Sequence, residues 1–174
     1  MCFISHYRSP IGDVTLASDG ENLTGLWFDG QKYDRDTIRG MELAEKDLPV
    51  FSSAKKWLGI YFSGKIPGFT PPLKVEGSAF RKMVSDVMRE IPFGRSMTYG
   101  EIARKVAQRT DRKSLSAQAV GVAVGRNPIS LIIPCHRVLG GEGKLSGYAG
   151  GIERKVFLLE LEGILFKPVE NPRG

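Results

Sequence analysis

Asn127-Pro128-Ile129-Ser130-Leu131-Ile132-Ile133-Pro134-Cys135-His136-Arg137-Val138 is the stretch from which the rest of the chain is read. The apolar run Ile129 to Ile133 has the length and composition of a short buried strand, and Pro128 and Pro134 bracket it. Proline cannot continue a sheet ladder, so the chain is expected to turn at Pro134 and present Cys135 just past the strand end. His136 follows at once. A thiol becomes a strong nucleophile as thiolate, and an imidazole in reach, directly or through one water, can take its proton. A free cysteine can equally be a small core residue, since Cys is among the most buried residue types.

Composition narrows the setting. A chain of 174 residues can hold one large or two small domains, and 21 glycines announce many turns. No apolar run is long enough for a membrane span, and the first residues lack a basic stretch followed by a long apolar core. The expectation is a protein of the cytoplasm, or of the nucleus in a eukaryote, with no membrane partner. Two cysteines, Cys2 and Cys135, are too few for a disulfide framework and suit a reducing compartment. Formal net charge is +6, and it is unevenly placed. Residues 1–75 carry nine Lys/Arg and nine Asp/Glu; residues 76–174 carry sixteen and ten. An excess confined to one half points that half toward a polyanion, although a solvated basic surface has the same composition.

Along the chain, Cys2 to Tyr7 reads as a strand, and Gly12 to Ser18 with Leu23 to Phe28 as a hairpin around Asp19-Gly20-Glu21-Asn22. Residues 29–49 are mixed and polar, with room for a short helix. Ala54, Trp57, Leu58 and Tyr61 have helical spacing, with Ser52 or Ser53 as the expected N-cap. Three prolines and two glycines in 64–72 mark the expected linker, dividing the chain into domains 1–72 and 73–174. Beyond it the pattern is helical. Ser78 can cap a helix with Phe80, Met83, Val84, Val87, Met88 and Ile91 inward, ended by Pro92. Thr98-Tyr99-Gly100-Glu101 matches a capping box opening a short helix. A basic loop, 108–113, leads to Ser114 or Ser116 and a second short helix whose close-packing face is Ala117, Val120, Gly121 and Val124. Two short helices around a basic turn suggest helix-turn-helix, and any αα-hairpin would share the pattern. The glycine-rich loop 140–151 lacks both a P-loop ending and a dinucleotide fingerprint, so no nucleotide cofactor is expected. A last helix, 152–162, would pack Ile152, Val156, Leu158 and Leu159 and stop at Gly163, and residues 167–174 look frayed.

Ile133-Pro134-Cys135-His136-Arg137-Val138 resembles the active-site signature of the O6-alkylguanine-DNA alkyltransferases, the methylated-DNA–protein-cysteine methyltransferases. The similarity runs through most of the C-terminal half and, more weakly, into the N-terminal half. It implies an α/β protein with a small ribonuclease-H-like N-terminal domain and a mostly helical C-terminal domain carrying a helix-turn-helix. The implied activity is single-turnover transfer of an alkyl group from O6 of guanine, and from O4 of thymine, to Cys135. No cofactor regenerates the thiol. Cys135 would be the nucleophile, His136 would take its proton through a water, and Glu162, in Leu158-Leu159-Glu160-Leu161-Glu162-Gly163, would hold the imidazole. Asn127 would buttress the turn before the active-site strand, and the Tyr99 hydroxyl would contact the flipped nucleotide. The Val138 carbonyl, Tyr148 and the Ala149 amide would line the base pocket. Gln118, Ala119, Gly121, Val124 and Arg126 would meet double-stranded DNA at its minor groove, the protein acting as a monomer.

Two positions depart from the family pattern. Ala149 stands where some members have Ser, and Gln118 stands where members usually carry the Arg that replaces the extruded base. Gln is shorter, is uncharged and has no guanidinium plane to stack, so the flipped state would be more weakly stabilised, or Arg126 or Arg112 would help. Three other readings compete. A Cys-His-Glu hydrolase would use the same trio with turnover. Non-repairing alkyltransferase-like proteins lack the Cys that this chain has. A zinc site would need Cys2, His6, Cys135 and His136 to converge, and the Cys2-x-x-x-His6 spacing reads as incidental.

Overall fold

The computed structural model describes residues 1–113 and 115–168; Ser114 as a cap, and the frayed end over 169–174, lie outside them. The chain forms two compact units. One is Met1–Gly77 with Pro128–Ile132, and the other is Ser78–Asn127 with Ile133 onward.

In the first unit β1 (Cys2–Ser9), β2 (Gly12–Ser18) and β3 (Leu23–Phe28) form an antiparallel meander. The Asp19 carboxylate shapes the β2–β3 turn by accepting from the Glu21 and Asn22 amides. A short β4 (Leu43–Glu45) then adds to β1 in parallel, giving the order β3-β2-β1-β4. The connection to it holds one 3-10 turn, Asp36–Ile38. One side of the sheet buries Cys2, Ala17, Trp27 and Ile38 together. Against the sheet packs α1 (Pro49–Phe62), burying Ala54, Trp57, Leu58 and Tyr61 as their spacing predicts. Its N-cap is Leu48 rather than Ser52 or Ser53, because Pro49 supplies the fixed φ that suits a first helical turn.

Two expectations are corrected here. The first unit runs on past Pro72 to Gly77: Pro72 accepts from the Leu23 amide and Lys74 donates to the Leu23 carbonyl. Ile129–Ile133 is not a strand. Leu26 and Ser130 join β3 to it through the bonds Leu26 N to Pro128 O (2.8 Å) and Ser130 N to Leu26 O (2.9 Å). Leu131 then turns the chain with φ 71°. The run is apolar because all five residues are buried, not because it pairs along its length; burial without alternation cannot tell a strand from a buried turn.

In the second unit Ser78 caps α2 (Ala79–Arg89), its hydroxyl accepting from the Arg81 amide. A two-residue β5 (Met97–Thr98) leads directly into α3 (Tyr99–Arg109). Both bonds of the capping box form: Glu101 N donates to Thr98 Oγ1, and Thr98 N donates to Glu101 Oε1. Ser116 caps α4 (Ala117–Gly125), accepting from the amides of Gln118 and Ala119. Helices α2, α3 and α4 pack on one another and bury Val84, Val87, Met88, Ile102, Val106 and Val120. After the 3-10 turn Cys135–Arg137, β6 (Val138–Leu139) pairs in parallel with β5. The last helix, α5 (Ile152–Glu162), ends at Gly163 with φ 71°. Lys167 is bonded to Gly143 and Leu145, so the chain is still ordered there.

The inward stripe of α5 corrects the sequence expectation. Ile152 is exposed, and the buried positions are Lys155, Leu158, Leu159 and Glu162. These have regular i, i+3, i+4, i+7 spacing, but its first and last members are charged. A pattern scored on apolar residues slides off such a stripe.

Gly25 in β3 offers a test of the first unit. A Cβ built there would fall inside the ring of Trp27, two residues on and on the same side of the sheet. Gly25→Ala is expected to destabilise the protein by roughly 1–3 kcal/mol, the usual cost of overpacking. A urea unfolding midpoint unchanged from the parent would contradict the packing described.

Candidate active site

The site is built from the 3-10 turn, β6, the end of α5 and the loop before it. Glu162 is fully enclosed and gathers four donors. His136 Nε2 lies 2.6 Å from Oε2, Arg137 Nε 2.8 Å from Oε1, Arg137 Nη2 3.3 Å from Oε2, and the Gly94 amide 3.0 Å from Oε1. Arg137 is held at its other edge by the Ile91 carbonyl, 2.7 Å from Nη1. Burial pushes the Glu162 carboxyl up, but the hydrogen bonds and charges of His136 and Arg137 overcome it and bring it down to about 2. Burial holds the imidazole below its ordinary value, against the pull of Glu162. If both partners were charged, His136 would be drawn upward. The arrangement that satisfies both is an ionised Glu162 neutralised by Arg137, with a neutral His136 donating through Nε2. Nε2 faces a carboxylate oxygen and so carries the proton, which makes Nδ1 the basic nitrogen.

Cys135 begins the 3-10 turn and is 5 % exposed. The expectation of a thiol presented at the end of a strand is therefore corrected: the sulfur is enclosed. Desolvation pushes it up, while the Asn127 side chain, the charge of Lys155 and the Tyr148 hydroxyl each favour the thiolate. Asn127 is buried and its Nδ2 donates to the Ile133 carbonyl at 2.8 Å. That bond joins the residues on either side of Pro128–Ile132, and so fixes where the chain re-enters the second unit just before the thiol.

The structure brings Cys135, His136, Glu162, Asn127, Val138, Tyr148 and Tyr99 into one connected group. The Val138 carbonyl accepts from Lys155 Nζ at 2.6 Å, and Ser146 Oγ lies 3.2 Å from the Tyr99 hydroxyl. Burial holds the Tyr99 phenol protonated. Tyr148 and Ala149 are half-buried in the loop that leads to α5. On α4, Gln118 and Ala119 are exposed, while Gly121 and, at the C-cap, Arg126 are half-exposed. A Cβ at Gly121 would touch the Tyr99 ring at 3.9 Å, so α4 comes close to the tyrosine. Val124 is 4 % exposed and faces the core, which corrects its expected place on an outer surface; Val122 is exposed instead. Cys2 is a core residue and His6 pairs with Glu45, so neither joins the site. Among the described residues no group of three or more His, Cys, Asp or Glu is arranged to hold a metal.

Sequence reading missed Lys155. Its ammonium is buried and donates to Val138 O, Ser146 Oγ (2.9 Å) and Gly147 O (3.2 Å), and burial lowers it to about 8. The signal was available: Lys155 falls in line with Leu158, Leu159 and Glu162, and a lysine inside a buried stripe needs partners. Arg137, also assigned no role, is the countercharge that keeps Glu162 ionised.

The carboxylate sets a pH dependence. A group held at about 2 in the folded chain, against about 4.3 unfolded, contributes its full stability above the ordinary carboxylate range and loses it as pH falls through the folded value. Glu162→Gln leaves Arg137 buried without its counterion and is expected to cost roughly 3–5 kcal/mol at neutral pH. The gap to the parent should narrow on acidification; urea unfolding at pH 7 and pH 3 measures it. A gap that does not change with pH would remove the ion pair from the account.

Comparison with known proteins agrees with this geometry. Residues 79–164 match the family described as 6-O-methylguanine DNA methyltransferase, DNA binding domain, and residues 3–75 match its ribonuclease-like domain. A methylated-DNA–protein-cysteine methyltransferase of Haemophilus influenzae is 39 % identical, covering 98 % of this chain and 93 % of that one. One from Methanosarcina acetivorans is 42 % identical, covering 90 % and 96 %. Among solved structures, the Mycobacterium tuberculosis O6-methylguanine methyltransferase superposes with a TM-score of 0.78 at 41 % identity, covering 93 % of each chain. Mycobacterium tuberculosis OGT in complex with DNA gives 0.79 at 40 %, covering 92 % of each. With a thiol, an imidazole and a carboxylate in one buried group, and relatives matched over nearly its full length, this chain belongs to the methylated-DNA–protein-cysteine methyltransferase family.

Proposed function

We propose that this protein repairs alkylated DNA by direct reversal, moving the alkyl group from O6 of guanine to Cys135. The observation that carries the proposal is the surroundings of the sulfur: a buried thiol with Asn127, Lys155 and Tyr148 favouring its anion, next in sequence to a histidine locked on Glu162. In the reaction the sulfur attacks the alkyl carbon, the S–C bond forms, and the C–O6 bond breaks with its electron pair passing to guanine. The thiol proton goes through one water to His136 Nδ1, and Glu162 stabilises the imidazolium that results. Tyr99, kept protonated by burial, is the acid that can neutralise the departing purine. The product is a thioether with no easy leaving path, so each molecule acts once.

The guanine must leave the helix to reach an enclosed sulfur. It would enter past the half-buried Tyr99 and Tyr148, with the Val138 carbonyl and the Ala149 amide reading its edge. Helices α3 and α4 act as a helix-turn-helix, with α4 laid along the minor groove. Its exposed residues, Ala117, Gln118, Ala119 and Val122, include three small apolar side chains, which let backbone approach backbone. Contacts of this kind go mainly to phosphate and sugar and are nearly independent of sequence, as a scanning protein requires.

Intact mass after incubation with a duplex containing O6-methylguanine tests the proposal. One added methyl is expected on the parent and none on Cys135→Ser. Repeated turnover per molecule would instead favour a hydrolase. Gln118→Arg is expected to raise the second-order rate on duplex lesions more than on the free O6-alkylated base, because only the duplex needs its extruded base replaced. Equal changes on both substrates would rule out that role for position 118.

A further inference from the structure

Ser146, half-buried in the loop before α5, touches three members of the site at once. Lys155 Nζ donates to its Oγ at 2.9 Å, the Tyr99 hydroxyl oxygen lies 3.2 Å away, and the Val138 carbonyl 3.4 Å away. A serine hydroxyl has one proton to give, and an ammonium can only donate, so Ser146 accepts from Lys155. The Val138 carbonyl already accepts from the same ammonium at 2.6 Å and lies farther from Ser146 than the phenol does. The Ser146 proton is therefore directed at the Tyr99 oxygen. The Tyr99 proton cannot point back along that bond and has to turn elsewhere. In keeping with this direction, the Ser146 bond favours the Tyr99 phenolate, against the burial that pushes the phenol up.

We propose that Ser146 is a positioning residue for alkyl transfer: its hydroxyl aims the Tyr99 phenol at the flipped base and steadies the phenolate left behind. The inference rests on the reading of the protein as a DNA alkyltransferase and adds to it a residue that never touches the lesion. Lys155 serves here as the clamp, holding Ser146 Oγ and Val138 O with one charge. As the C–O6 bond breaks, its electron pair passes to the purine and the purine takes the Tyr99 proton. The phenolate oxygen keeps the hydrogen bond from Ser146, which itself gives up no proton. The sulfur sets the timing. Negative charge on Cys135 pushes Tyr99 up, so the phenol holds its proton while the thiolate stands. Once the thioether forms that charge is gone, and the proton is most easily released when the purine needs it.

The test measures second-order methyl transfer to Cys135 from a duplex containing O6-methylguanine. It compares the parent with Ser146→Ala, Ser146→Thr, Tyr99→Phe and Tyr99→Phe/Ser146→Ala. Ser146→Ala is expected to lower the rate about tenfold, the weight of one hydrogen bond in a transition state, and to leave affinity for undamaged duplex unchanged. Ser146→Thr keeps the hydroxyl and should restore most of the rate. In the Tyr99→Phe background Ser146→Ala should cost nothing further, because the phenol through which it acts is gone. A double-variant loss equal to the product of the two single losses overturns the proposal, since Ser146 would then act through packing or through Lys155. A Ser146→Ala rate equal to the parent's overturns it, and so does a Ser146→Thr rate as low as that of Ser146→Ala. Should the parent itself fail to transfer methyl from the damaged duplex, the alkyltransferase reading fails instead, a result distinct from any of these.

Discussion

The second unit is held around one carboxylate. Glu162, at the end of α5, is gripped by the 3-10 turn through His136 and Arg137 and by the Gly94 amide from the segment before β5. Arg137 extends the grip to the end of α2 through Ile91. An anion enclosed this fully would be prohibitive alone. With a permanent cation in fork geometry and two further donors, it becomes the point at which three parts of the unit are brought into register. The imidazole beside it inherits both its orientation and its tautomer.

Around the sulfur the balance is different. Desolvation keeps Cys135 protonated, whereas Lys155, Asn127 and Tyr148 pull the other way. The outcome is a thiol protected from casual oxidation by enclosure, yet supplied with the groups its anion needs. Lys155 also spans the carbonyls of Val138 and Gly147. The same ammonium therefore ties the loop to β6 and sets the charge near the sulfur.

Much of this was legible in the sequence, and what was not has physical causes. Capping signals at Ser78, Thr98 and Ser116 report local hydrogen bonds, and those helices begin where the signals stand. The strands of the meander followed from residue type and turn chemistry. Ile129–Ile133 misled because buried irregular backbone has the same composition as a buried strand. The α5 stripe misled because two of its buried positions are ionic, and only their distant partners explain them. Cys135, His136 and Glu162 were singled out through the family resemblance, not from spacing; no rule of periodicity joins residues 136 and 162, which the fold brings together. Lys155 was overlooked for the opposite reason, being a surface residue by type and an interior one by position.

The path of the chain through Pro128–Ile132 also constrains how the molecule can be divided. Five residues from the middle of the second half are structurally part of the first, stitched to β3 through Leu26 and returned beneath the Asn127–Ile133 bond. A fragment cut after Gly77 would keep Cys135 but strand Ile129 and Leu131 without their cover, immediately upstream of it. Covalent continuity thus ties the packing just before Cys135 to the amino-terminal half. Dissection at the boundary after Gly77 would injure the half it was meant to isolate.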